Sequence, residues 1–261
     1  MDFRRTSALA FAMVAATGTA HAQVDWSDII GTVAQEDAIM DAAREGRGGP
    51  GGAQGATVLP RRDLGQALSR TFAAQTTASP SPSAPVISAS YTPSTEAREK
   101  LAAIMGEAAA RNGVAQGKEM RQLVLSRQAL SEYERVAPAV GLKANDAIDA
   151  YAFYMLTQWG VANDYRANFT RAQVAGVRRQ AANAFAGVAD QLATDALRQE
   201  FAEMLAIQGV IMSGAHEAAV RKGDEAAAAK YVAVARRGGQ KVFTMDPTTM
   251  VLTDAGFRKK R

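Results

Sequence analysis

Between Gly141 and Tyr165 the chain reads GLKANDAIDAYAFYMLTQWGVANDY, and this stretch narrows the folds open to everything around it. Ile148, Tyr151, Ala152, Met155, Leu156 and Trp159 recur at helical spacing and make one continuous apolar stripe. Phe153 and Tyr154 fall outside that stripe, so the helix is apolar around most of its circumference. Such a helix must be surrounded by other elements, because a surface position would leave aromatic rings in water. Asn145 is expected as its N-cap, and Asp146 and Asp149 fall where the helix dipole favours negative charge.

The flanking sequence supplies the neighbours. Thr92-Pro93 opens a helix that carries Leu101, Ile104, Met105 and Ala108 as far as Asn112-Gly113. A second helix is predicted from about Gly117 to Ala137, stopped by Pro138 and Gly141. Beyond Asn168, the positions Val174, Val177, Ala181, Phe185, Val188 and Leu192 repeat at threes and fours. That narrow seam suits a homo-oligomer contact. Thr194-Asp195 caps a helix striped by Phe201, Met204, Leu205, Ile211 and Met212, on which Gly209, Ser213 and Gly214 leave room for another helix. A last helix runs from Glu225 to Arg237 and ends at Gly238-Gly239, and the residues around Pro247 read as an extended segment or small hairpin. The expected fold is all-α: a bundle of about six helices over residues 91–261 with a short extended C-terminal segment.

Upstream the composition changes. Arg4 and Arg5 precede a short apolar run, Ala8 to Ala16, and Ala20-His21-Ala22 offers a small-x-small cleavage site. Residues 1–22 are therefore expected to be a signal peptide, with Gln23 starting a periplasmic or secreted protein. The apolar run is shorter than the roughly 20 residues a spanning helix needs, so no transmembrane segment is expected in the mature chain. Residues 23–45 form a short amphipathic segment through Trp26, Ile29, Ile30 and Val33. Residues 46–90 are rich in Gly, Pro and Ser and read as a disordered linker, interrupted by a brief helix from Asp63 to Thr71. Within it GRGGPGGAQG lacks the Gly-Lys-Ser/Thr ending of a phosphate loop.

Several chemistries lack their residues. The chain has no cysteine, so neither a disulfide nor a thiolate is available. His21 leaves with the signal peptide, and His216 alone cannot make a metal site; no metal or cofactor is expected. His216 and Glu217 are helix neighbours and do not face each other. A net charge of +4 is too weak a field to suggest nucleic acid as a partner. Asp146 and Asp149 are the best carboxylate pair for catalysis, and they would serve a hydrolase acting on an envelope polymer if they lay across a substrate. The competing role for them is helix capping. Glu200 and Glu203, with Arg198 near them, read as a solvated face or as salt-bridging residues. Tyr151, Tyr154 and Trp159 are candidate binding residues, since they combine large apolar area with a polar handle. The favoured function is a binding or interaction module of the bacterial envelope, whose partner would be a protein or envelope component.

Tyr91-Thr92-Pro93-Ser94 with Arg98, Gly141-Leu142 and Asn145-Asp146 leading to Asp149-Ala150-Tyr151 and Trp159, Gln199-Glu200 before Met204-Leu205, and the ending Leu252-Thr253-x-x-Gly256-Phe257 occur together. In this combination the chain, from about residue 91 to 257, resembles an uncharacterised family of exported bacterial proteins, a domain of unknown function. The resemblance implies a helical exported domain and brings no activity, cofactor or catalytic residue with it.

Overall fold

The computed structural model describes residues 64–77 and 88–260, so the expected signal peptide and the 23–45 segment lie outside the described residues. Eight α-helices are found among the described residues: α1 (Leu64–Thr77), α2 (Thr95–Ala110), α3 (Val114–Ser126), α4 (Gln128–Val136), α5 (Ala147–Ala162), α6 (Arg171–Ala186), α7 (Asp195–Lys222) and α8 (Glu225–Phe243). A two-stranded antiparallel hairpin follows, β1 (Met250–Thr253) and β2 (Gly256–Lys259), with Val251 opposite Arg258 and Leu252 opposite Phe257. The protein is mostly helical with a short C-terminal sheet.

The aromatic helix α5 is the axis. Every one of its residues except Gly160 is buried, and α6, α7 and α8 all pack against it. Its rings are shared with its neighbours: Phe153 meets Tyr133 of α4 at 5.0 Å between centroids, and Tyr151 meets Phe201 of α7 at 6.1 Å. Burial of such side chains stabilises by about 1.5–3 kcal/mol each, which makes α5 a large contributor to the core.

Several boundaries differ from the expected ones, each for a local reason. The N-cap of α5 is Asp146 and not Asn145: Asp146 is extended and accepts bonds from the Ile148 and Asp149 amides, while the Asn145 carbonyl accepts from the Tyr91 amide. Likewise Ser94, two residues past Thr92, caps α2 by accepting from Ala97 N–H. The single helix expected over 117–137 is broken at Arg127, whose left-handed φ of 59° closes α3 and starts α4. The last helix continues through Gly238-Gly239 to Phe243, and Pro247 packs against it at Gly239, where a β-carbon would lie 2.6 Å from Pro247 Cγ.

Part of the segment expected to be linker is helix α1, longer than the brief helix predicted there. Its Leu68 and Phe72 are buried, and Phe72 meets Phe243 and Phe257 at 5.4 and 6.1 Å. This aromatic knot joins α1, α8 and β2, and Trp159 of α5 reaches it through Phe257 at 5.8 Å. The seam from Val174 to Leu192, expected as a contact between copies, is filled within the chain: all six of its apolar residues are buried, and α1, α5 and β2 cover α6.

Candidate functional site

The two ends of α5 have different characters. At its N-terminus Asp146 accepts from two helix amides and from the Ser90 hydroxyl at 3.0 Å. Asp149 has no exposed surface; its Oδ2 accepts from the Lys143 amide at 2.7 Å, and Arg178 of α6 forms an ion pair with its Oδ1. Burial pushes the Asp149 carboxyl above its ordinary value, and neighbouring Asp146 adds to the rise; the Lys143 amide and Arg178 oppose it. The two carboxylates are committed to backbone amides, the Ser90 hydroxyl and a single guanidinium, and they cap and anchor the helix.

The three candidate binding aromatics are core residues, with exposures of 4% for Tyr151, 1% for Tyr154 and 6% for Trp159. Trp159 donates its indole N–H to the Met250 carbonyl at 3.3 Å, which locks the hairpin to α5. Its ring also backs Tyr165, 5.1 Å away, and Tyr165 in turn stacks on Phe169 at 5.3 Å with the planes 13° apart.

Those two half-buried rings wall a cavity of about 310 Å³ at the C-terminal end of α5. At a rise of about 1.5 Å per residue, Gly160 on its floor stands roughly 16 Å along the helix from Asp149. The floor is Leu156, Thr157, Gly160 and Val161 of α5. The 163–170 loop gives one wall, and Ser213, His216, Glu217, Val220 and Arg221 of α7 give the other. The loop is held in place by its own backbone: the Asp164 and Tyr165 amides donate to Val161 and Gly160, Asn163 donates its side-chain amide to Trp159 and Pro247 carbonyls, and Asp164 takes a φ of 43°. Thr170 and Gln173 then form a capping box that starts α6.

Charge in the cavity is unevenly committed. Arg166 grips both oxygens of Asp164 at 2.8–3.1 Å, and His216 Nε2 lies 3.6 Å from Asp164 Oδ1. The two aliphatic hydroxyl groups donate to backbone: Thr157 to the Tyr154 carbonyl at 2.8 Å, Ser213 to the Gly209 carbonyl at 2.8 Å. They therefore present lone pairs to the cavity. Among the described residues no group of three His, Cys, Asp or Glu side chains could hold a metal ion.

A family model described as a family of unknown function, DUF6683, matches residues 57–260. The chain belongs to this family. No curated protein and no solved structure matches it. In this DUF6683 chain the residues that carried the resemblance are ties between elements. Thr92 N–H donates to Asp195 at 2.8 Å; Ser94 exchanges two backbone bonds with the Gln199 side chain; Arg98 pairs with Glu203 through two bonds, with both side chains buried. Glu203 is thus buried with Arg98, not on a solvated face, while Glu200 pairs with Lys100 and Arg198 with Asp195. At the far end of the match, Gly256 has a φ of 99° and lies against the Gln180 amide, which accepts from Phe257 N–H at 2.8 Å and donates to its carbonyl at 3.0 Å.

Among the cavity residues, the sequence reading takes Ser213 as a close-approach position and His216 with Glu217 as neighbours that do not face each other; Tyr165, Phe169 and Arg221 are not singled out. Tyr165 and Phe169, four apart in a short polar loop after the aromatic helix, were the available signal. Their partners Ser213, His216 and Arg221 stand some 50 residues on in the chain and share no local pattern with them.

Proposed function

We propose that the protein is a non-enzymatic binding module of the bacterial envelope, exported by its N-terminal signal peptide, and that its ligand site is the cavity between α5, the 163–170 loop and α7. The observation that carries this reading is the cavity itself: about 310 Å³, an apolar floor, a stacked aromatic wall and a few converging polar groups. Small-molecule sites have this size and make-up. The hydrolase reading draws little support, because Asp146 and Asp149 are committed to helix capping and to Arg178. Nor does Ser213 fit a nucleophile activated by His216, since its proton is given to the Gly209 carbonyl and not to an imidazole.

The test is a thermal-shift and native mass-spectrometry screen of the purified protein against small molecules extracted from bacterial envelopes. Val220→Trp, which fills the cavity from α7, serves as the comparison. Ligands that raise the melting temperature of the wild type and not of the folded Val220→Trp protein support the reading; ligands that bind both proteins equally place the site elsewhere. N-terminal sequencing of the protein recovered from the periplasm or medium is expected to begin at Gln23.

A further inference from the structure

Resting on the assignment of this cavity as the ligand site, we infer that its ligand is a small organic acid: a planar apolar ring that carries a carboxylate on a short arm. Size sets the first limit. At about 310 Å³ the cavity is at the small end of the range for small-molecule sites, which suits one bicyclic ring with a short arm.

The surroundings set the shape. Tyr165 and Phe169 stack nearly parallel, and a further aromatic ring extends such a pair by offset stacking or by edge-on contact. Gly160 lets the Phe169 ring sit close on α5: a β-carbon there would lie 3.2 Å from Phe169 Cζ.

Charge sets the head group and its position. Deep in the cavity Thr157 and Ser213 offer only lone pairs, which repel a carboxylate and accept from a ring N–H. Of the charged lining groups, Asp164 and Arg166 neutralise each other, His216 leans on Asp164, and Glu217 has an interaction of its own. Arg221 in the last turn of α7 is the exception: among the described residues it has no ion-pair partner. An exposed guanidinium at the mouth of a largely apolar hole is the complement of an anionic group held at the rim, and a carboxylate matches its fork in two parallel bonds.

Isothermal titration with three probes of one skeleton tests this: indole-3-propionate, its primary amide and tryptamine, which place an anion, a neutral group and a cation on the same ring. The expected result is that the acid binds about tenfold or more tightly than the amide, and tryptamine most weakly. Arg221→Gln should bring the acid down to the amide's affinity, Arg221→Lys should restore part of the difference, and Val220→Trp should abolish all binding. If the amide or the amine binds as well as the acid while Val220→Trp still blocks both, the ligand class is overturned and the cavity assignment stands. If no probe binds and the envelope screen also finds no ligand sensitive to Val220→Trp, both readings fall.

Discussion

Gly176→Ala is the substitution on which local and tertiary reasoning disagree in sign. Gly176 is inside α6, where replacement by alanine favours the isolated helix by about 1 kcal/mol. In the fold, however, the new β-carbon would lie 2.5 Å from the Asp254 carbonyl oxygen and 2.7 Å from the Ala255 carbonyl carbon, and closer still to the Gly256 nitrogen. All three are backbone atoms of the hairpin turn, so no side chain can rotate aside. Relief needs the hairpin to move by about 1 Å, which loosens the two bonds between Gln180 and Phe257, each contributing about 1 kcal/mol. Adding overpacking of about 1–3 kcal/mol and subtracting the helix gain leaves a net loss of about 2–4 kcal/mol. For a domain of this size that corresponds to a fall in melting temperature of roughly 4–16 °C. Urea and thermal unfolding followed by circular dichroism measure it. Gly187→Ala is the control, since its β-carbon would meet nothing nearer than 3.5 Å at an ordinary helical φ of −75°, and it should change stability by no more than about 0.5 kcal/mol. A Gly176→Ala protein as stable as the wild type would refute the close seating of the hairpin on α6.

Three further outcomes are expected. Gln180→Leu leaves the buried amide and carbonyl of Phe257 with no side-chain partner and should cost about 2–3 kcal/mol in urea unfolding, together with a change in near-ultraviolet signal from the aromatic knot. Arg178→Met strands Asp149 as a buried charge. The Asp149 carboxyl is already raised from about 3.8 in the fold, so the folded state holds its proton more tightly and stability falls as pH rises through that window. The variant should therefore lose about 1–3 kcal/mol at pH 7 and much less near pH 3.5, and adding Asp149→Asn should recover most of the loss; an equal loss at both pH values would contradict the charge account. Asp246 has the opposite sign. Arg236, 2.5 Å away, and the Thr248 amide hold it down to about 2, so its contribution is present above about 3.8 and is lost as pH falls through 2. With half-exposed Arg236 screened by water, Asp246→Asn should cost about 1 kcal/mol at pH 7, and the difference from the wild type should close in acid urea titrations between pH 4 and 2.

What the sequence determined by itself is local. Helical periodicity placed the central helix, and the absence of a polar face on it required a surrounding bundle; all its residues but Gly160 are buried. Gly209 was legible as a close-approach position, and Phe153 and Thr157 of α5 do sit against it. The missing cysteines and the single histidine of the expected mature chain narrowed the chemistry before any fold was known. Tertiary structure decided which polar residues are used and how. Asp149 became a buried ionic anchor because α6 brings Arg178 to it, and Glu203 became buried because Arg98 arrives from α2. Trp159, Tyr151 and Tyr154 are core because four other helices and a hairpin supply their neighbours. The cavity lies where α5 and α7 meet a loop pinned by its own backbone, joining Tyr165 and Phe169 to Arg221. A periodic pattern reports only which face of an element is buried; a site is made by the meeting of faces far apart in sequence, and only the packed chain sets those distances.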